Sequence, residues 1–227
     1  MMHVEKRELV VPGQLIAEGE EYTLGEGVFR EGNEIRASQM GLADEHDNRI
    51  RTISLEGRYI PKEGDRVLGV VIDDYYAGWV LNIDAPYEGN LSVSAYKGGA
   101  RDKEDLDVEL NNGDLVEAKV QNVDELMNVQ LEVTEQQRGK ITGGRMVEIS
   151  PSKIPRVIGR RGSMVSTLHK GGNCSLSVGQ NGRIVIWGDD QNVDRVVEAI
   201  YKIEREAHTS GLTDRIKEFL QKESKGG

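Results

Sequence analysis

Two arginines bracketed by glycines, Gly159-Arg160-Arg161-Gly162, constrain the backbone of this 227-residue chain more than any other tetrapeptide in it. They sit inside Ile149-Ser-Pro-Ser-Lys-Ile-Pro-Arg-Val-Ile-Gly-Arg-Arg-Gly-Ser163. A strand over Arg145 to Ile149 turns at Ser150-Pro151 and leads into a short helix that Ser152 is placed to cap. A second helix opens with Ser163, Met164 and Val165. Glycines between two helices let the backbone come close to a ligand that any Cβ would hold off. The free N–H groups and positive dipole end of the second helix then face an anion. With Lys153 and Arg156 just upstream and Arg160 and Arg161 on the bend, the anion that fits is a nucleic-acid backbone.

The flanking sequence gives the bend its context. Gly171-Gly172-Asn173 breaks the second helix, and Cys174-Ser-Leu-Ser-Val178 alternates as a strand. Gly179-Gln-Asn-Gly182 has hairpin turn chemistry, and Arg183-Ile-Val-Ile-Trp187 returns as its partner. A helix from about Gln191 to His208 places Val193, Val196, Val197, Ile200 and Ile203 on one face. This βααββα order with its GXXG bend resembles a type I KH domain. The resemblance implies a clamp on about four nucleotides of single strand.

Charge is distributed unevenly. The chain carries a net −10, which argues against a polyanionic partner until it is divided. Residues 1–62 hold 8 Lys and Arg against 12 Asp and Glu, residues 63–140 hold 7 against 17, and residues 141–227 hold 14 against 10. Between 143 and 183 seven basic residues (Arg145, Lys153, Arg156, Arg160, Arg161, Lys170 and Arg183) face one acid, Glu148. Attraction to phosphate is screened beyond roughly 8 Å at physiological salt, so the local patch outweighs the total. One cysteine excludes an intramolecular disulfide and a Cys-clustered metal site. Cys174, on the alternating strand, reads as a small buried thiol. No apolar run spans a membrane, and the N-terminus lacks the apolar core of a signal peptide. A cytoplasmic, soluble protein with no cofactor or metal and no membrane partner is expected.

Three domains are expected, mostly β with an α/β end: a β-domain over 1–62, a barrel over 63–140 and the KH unit over 141–227. In the first, strands are read at Leu9-Val11, Gly27-Arg30, Glu34-Ser38 and Arg49-Leu55, the last two as a long hairpin. It carries no catalytic grouping and reads as a docking module. In the second, Val67-Ile72, Gly78-Ile83, Gly89-Val93, Asp114-Val120 and Asn128-Val133 match a five-stranded OB-fold barrel, whose strands two and three bind single strands. Gly-Asp-Arg-Val, Gly-Trp-Val, Glu-Gly-Asn-Leu-Ser-Val-Ser and Gly-Asp-Leu-Val-Glu-Ala-Lys-Val resemble the S1 repeat. The aromatics of that family fall on Tyr76 and Trp79, while its histidine and late basic residue are replaced by Ser92 and Asn128. Trp79 either stacks on a base or packs in the barrel. Lys97, Arg101 and Lys119 are the barrel cations that can reach a strand. Arg138 to Gly144 reads as a flexible link, and a last helix presents Ile216, Phe219 and Leu220 for packing.

The order of β-domain, S1 barrel and KH unit, with the runs around the GXXG bend, Val-Gly-Gln-Asn-Gly-Arg-Ile and Glu-Arg-Glu-Ala-His-Thr-Ser-Gly-Leu-Thr-Asp-Arg-Ile, resembles the archaeal exosome cap subunits of the S1/KH type. The resemblance implies a non-catalytic RNA-binding subunit. Three copies would self-associate as a cap on a hexameric ring of RNase-PH-type subunits, which degrades RNA from its 3′ end with phosphate. Single-stranded RNA and the ring subunits are the implied partners, and the N-terminal domain is the implied ring contact. A NusA-like elongation factor also joins an S1 barrel to KH units, but carries two KH copies of the other topology. A nuclease related to polynucleotide phosphorylase would need two catalytic domains absent from this sequence.

Overall fold

A computed structural model describes residues 1–54, 57–96, 109–207, 209 and 211–223. The chain divides into two compact units, Met1–Gly57 and Arg58–Gly227.

The first unit is built from strands too short to stand alone: β1 (Leu9–Val10), β2 (Leu15–Glu18), β3 (Thr23–Leu24), β4 (Val28–Glu31), β5 (Glu34–Ala37), β6 (Gly41–His46) and β7 (Arg49–Ser54). They form two sheets, β1-β6-β7-β3 and β2-β5-β4, around Val10, Ile16, Ile35 and Ile50. The expected long hairpin is replaced by two tight ones. β5 pairs back onto β4 across Gly32-Asn33, and β7 pairs with β6 across Asp47-Asn48. Asp47 and Asn48 both take positive φ (52° and 60°), the backbone a two-residue hairpin turn requires. β6 is hidden in the sequence because Gly41, Ala43 and Asp44 have low strand propensity. It exists because β7 offers it a register.

Asp44 is the charged residue this sheet buries, at 3 % exposure. Arg51 donates to its Oδ2 from Nε (2.9 Å) and Nη2 (2.7 Å), and Lys6 and Arg7 lie 3.8 Å from Oδ1. Burial alone would raise this carboxyl's pKa. The Arg51 hydrogen bond and the charges of Arg7, Arg51 and Lys6 outweigh it and hold the pKa below the usual value. A depressed carboxylate contributes its full stability above its unfolded pKa, about 3.9, and loses it as pH falls through the folded value. The unit should therefore loosen on acidification below about pH 4. Asp44→Asn should weaken it by roughly 2 kcal/mol at neutral pH and flatten that acid response. Amide hydrogen exchange of β6 and β7 in the full chain checks both.

The second unit opens with a closed barrel of five strands: β8 (Arg66–Tyr75), β9 (Gly78–Asn82), β10 (Gly89–Tyr96), β11 (Leu115–Val123) and β12 (Val129–Val133). The order runs β8-β9-β10-β12-β11 and returns to β8, with β10 and β12 parallel. Val71, Trp79, Leu81, Leu91, Val116 and Leu131 fill it. The link expected over Arg138 to Gly144 is partly structured, because β13 (Gly139–Ile141) pairs along β11.

The KH unit follows without a break. β14 (Arg145–Glu148), β15 (Ser175–Val178) and β16 (Arg183–Trp187) form an antiparallel sheet in the order β14-β16-β15. Against it pack α1 (Ile154–Ile158), α2 (Ser163–Gly172), α3 (Asp190–Glu206) and α4 (Leu212–Glu223). Their shared core includes Val157, Leu168, Ile184, Ile200, Ile216 and Leu220. Ser152 does not sit at the start of α1. A single 3-10 turn over Pro151–Lys153 intervenes, and α1 begins at Ile154 without a side-chain cap. Cys174 is buried just before β15, its thiol 3.3 Å from the Gly172 carbonyl oxygen, and burial raises its pKa. It is a packed, protonated thiol.

Candidate nucleic-acid interface

The bend between α1 and α2 uses its two glycines for different purposes. Gly159 (φ 72°) ends α1, and a Cβ there would lie 2.6 Å from the Met164 nitrogen, so any side chain collides with the start of α2. Gly162 (φ 76°) caps α2 in the left-handed region, but a Cβ there would meet no atom within 4 Å. The first glycine closes the bend and the second leaves room above it. Arg161 also takes a left-handed conformation (φ 51°, ψ 34°), a strain of order 1 kcal/mol that a non-glycine residue rarely carries. Arg156, Arg160 and Arg161 are exposed, and among the described residues no carboxylate pairs with any of them. Lys153 is half-buried on the preceding turn. The result is an unneutralised guanidinium cluster over the N–H end of a ten-residue helix, which is chemistry for phosphate.

Beside the bend lies a groove of about 430 Å³ with two walls. Ile158, Gly162, Val165, Leu176 and Val178 make the KH wall, and Arg66, Lys119, Gln136 and Gln137 make the barrel wall. Apolar side chains next to a bend of this chemistry would offer bases a surface if a strand's backbone lay on it. Gln180 also lines the groove, its Oε1 buried and without a hydrogen-bond partner among the described residues. Lys119 therefore does share a site with the bend, although its Nζ lies 2.9 Å from Glu132 Oε1 and is partly neutralised.

The other barrel residues do not join this site. Trp79 is 2 % exposed, donates from Nε1 to the Leu110 carbonyl (3.2 Å) and packs against Tyr96 at 6.1 Å between ring centroids. Of its two readings the structure takes the packed one, because no ring face is open to a base. Tyr76 is 88 % exposed at the β8–β9 turn and is not among the described residues that line the groove. Lys97 and Arg101 lie outside the described residues.

Arg183 is corrected from surface cation to buried lock. It is 7 % exposed and donates to the Asn82 carbonyl (2.7 Å), the Leu68 carbonyl (3.2 Å) and Glu148 Oε1 (2.9 Å). Its neighbour Asn181 is fully buried. The Asn181 Nδ2 donates to the carbonyls of Leu68 and Ile83, both at 2.9 Å, and its Oδ1 accepts from the Leu68 N–H at 3.2 Å. Ser177 donates to Glu117 Oε2 (2.6 Å), and the Gln180 N–H donates to the Arg66 carbonyl (2.7 Å). What reads as a hairpin turn, Gly179 to Gly182, is thus a plug set into the barrel, and it fixes the two walls of the groove. The roles of these residues escaped sequence reasoning because their barrel partners lie 60 to 115 positions away. Asn181-Gly182 reads as ordinary turn chemistry, so the local sign is the Arg that opens β16.

With the geometry in place, likeness to known proteins can be set beside it. The family described as the exosome RNA-binding protein RRP4 N-terminal domain matches residues 7–56. That of the exosome complex component RRP40 S1 domain matches 59–144, and a KH domain family matches 144–191. The exosome complex component Rrp4 of Methanothermus fervidus is 44 % identical over 97 % of this chain and 98 % of its own length. The protein of the same name from Pyrococcus horikoshii is 43 % identical over 96 % of this chain and 83 % of its own. A crystal structure of an exosome complex RNA-binding protein superposes with a TM-score of 0.65 at 37 % identity, covering 74 % of this chain and 98 % of that one.

Proposed function

The chain belongs to the Rrp4 family of exosome components, and on that premise we propose that it captures single-stranded RNA at the Gly159–Gly162 bend and delivers it to a nuclease ring. It is an RNA-binding subunit of the exosome cap. The observation that carries RNA capture is the exposed cluster of Arg156, Arg160 and Arg161, unmatched by any carboxylate among the described residues. Three copies would crown a hexameric ring of RNase-PH-type subunits, docked through the N-terminal β-domain, with the barrels around the pore. The barrel region's surplus of acids favours release, so a strand held at the KH end can slide past it. Threefold repetition turns modest affinity at one bend into avidity. The chain itself would supply no chemistry. Among the described residues no helix is long and apolar enough to cross a membrane, and the proposed site of action is the cytoplasm.

The elongation-factor reading loses its support, since the described residues form one KH unit of the βααββα order and the relatives are named as exosome components. Native mass measurement after mixing the chain with ring subunits of its own organism tests the assembly. Three copies per six-membered ring are expected. Failure to associate with the ring would return the choice of partner to RNA polymerase.

A further inference from the structure

We infer that the cleft between α2 and α4 is a second phosphate site, which takes the backbone of the RNA strand after it crosses the Gly159–Gly162 bend. The inference rests on the reading of that bend as an RNA clamp. The cleft encloses about 620 Å³ and is lined by Ser163, Ser166 and Lys170 from α2 and by Thr213, Lys217 and Gln221 from α4. Ser163, Ser166, Thr167 and Lys170 follow one another at helical spacing and share a face of α2. Val165 lies on the other side, where with Gly162 it lines the barrel–KH groove. The bend is therefore a saddle: one flank falls into the base groove, and the other, starting at Ser163, falls into the cleft.

The lining has the chemistry of an oxyanion site. Among the described residues it contains no Asp or Glu. Among the described residues, neither Lys170 nor Lys217 has an ion-pair partner. Thr167 Oγ1 donates to the Ser163 carbonyl (2.9 Å), which leaves the hydroxyls of Ser163, Ser166 and Thr213 to meet a ligand. Among the described residues no aromatic lines the cleft, so they can hold a backbone but offer no platform for a base. Its floor is built by close packing: a Cβ on Gly171 would lie 2.8 Å from Leu220 Cδ1, so glycine there lets α4 approach α2. The helix face is about 15 Å long, enough for more than one phosphate.

The test compares strand lengths on the full chain. Uridine homopolymers of about four nucleotides fill the clamp alone, whereas strands of about twelve also reach the cleft. Near 0.1 M salt, K170Q/K217Q should bind the short strand within about twofold of the parent and the long strand about twenty-five-fold more weakly. The salt slope for the long strand should fall by about 1.4, since each single-strand phosphate neutralised contributes roughly 0.7. Both lysines are exposed, so the fold should tolerate glutamine. Equal loss at both lengths would mean a diffuse field and overturn the proposal. No loss at either length would mean at most a free-anion site and overturn it too. Should R160D/R161D instead leave both lengths unaffected, the clamp itself fails and the cleft loses its premise.

Discussion

Asn181→Leu is expected to lower the thermal midpoint of the barrel–KH unit by about 10 °C, a large effect for one residue in a turn. The substitution removes two donors and an acceptor from a fully buried position. The Leu68 carbonyl keeps its bond from Arg183, but the Leu68 N–H and the Ile83 carbonyl lose the Asn181 partner. Each buried group left unpaired costs about 1–3 kcal/mol, so the sum is about 3 kcal/mol. For a unit of this size each kcal/mol moves the midpoint by roughly 2–4 °C. Gln180→Ala is the control, because the hydrogen bond that holds Gln180 to Arg66 comes from its backbone. Scanning calorimetry with limited proteolysis near Thr142-Gly143 reads both. If Asn181→Leu shifts the midpoint no more than Gln180→Ala, the plug is only a turn.

R160D/R161D should weaken binding to single-stranded RNA about a hundredfold near 0.1 M salt and leave the thermal midpoint within about 2 °C. For every phosphate no longer neutralised, the slope of log affinity against log salt falls by roughly 0.7. Two such phosphates are worth about 1.4 decades at that salt, and reversing the charge adds repulsion. Stability should hold because both side chains are exposed and no ion pair is broken among the described residues. Asp is also among the residues that tolerate the left-handed backbone of position 161. Fluorescence anisotropy at several salt concentrations gives affinity and slope together. Unchanged affinity would remove the bend from RNA capture.

The C-terminal half was legible in the sequence because glycines and apolar periodicity marked it. The positions of Gly159, Gly162 and Gly182, the alternation in β15 and the apolar run of β16 lead to the KH order. The five barrel strands were readable for the same reason. The N-terminal unit was legible only in β1, β4, β5 and β7, since β2, β3 and β6 are short or polar and gain their structure from cross-strand partners. Trp79 was ambiguous because an aromatic on a barrel strand fits either face, and only the closed barrel decides that it points inward. Arg183 was misplaced because counting charges treats every cation as solvent-facing. Nothing local announces that Asn82 and Leu68 await it.

Beside an apolar cluster of Leu68, Ile141 and Val185, the barrel and KH unit are joined by directional hydrogen bonds, and these limit what can be exchanged. A chimera that joins this barrel to a foreign KH unit would inherit the Leu68, Asn82 and Ile83 carbonyls without the donors they now receive. A greasy seam would forgive such a graft by repacking, whereas hydrogen bonds of fixed length do not. What looks like two portable cassettes in the sequence is, for inheritance and for engineering alike, a single heritable block running from Arg58 onward.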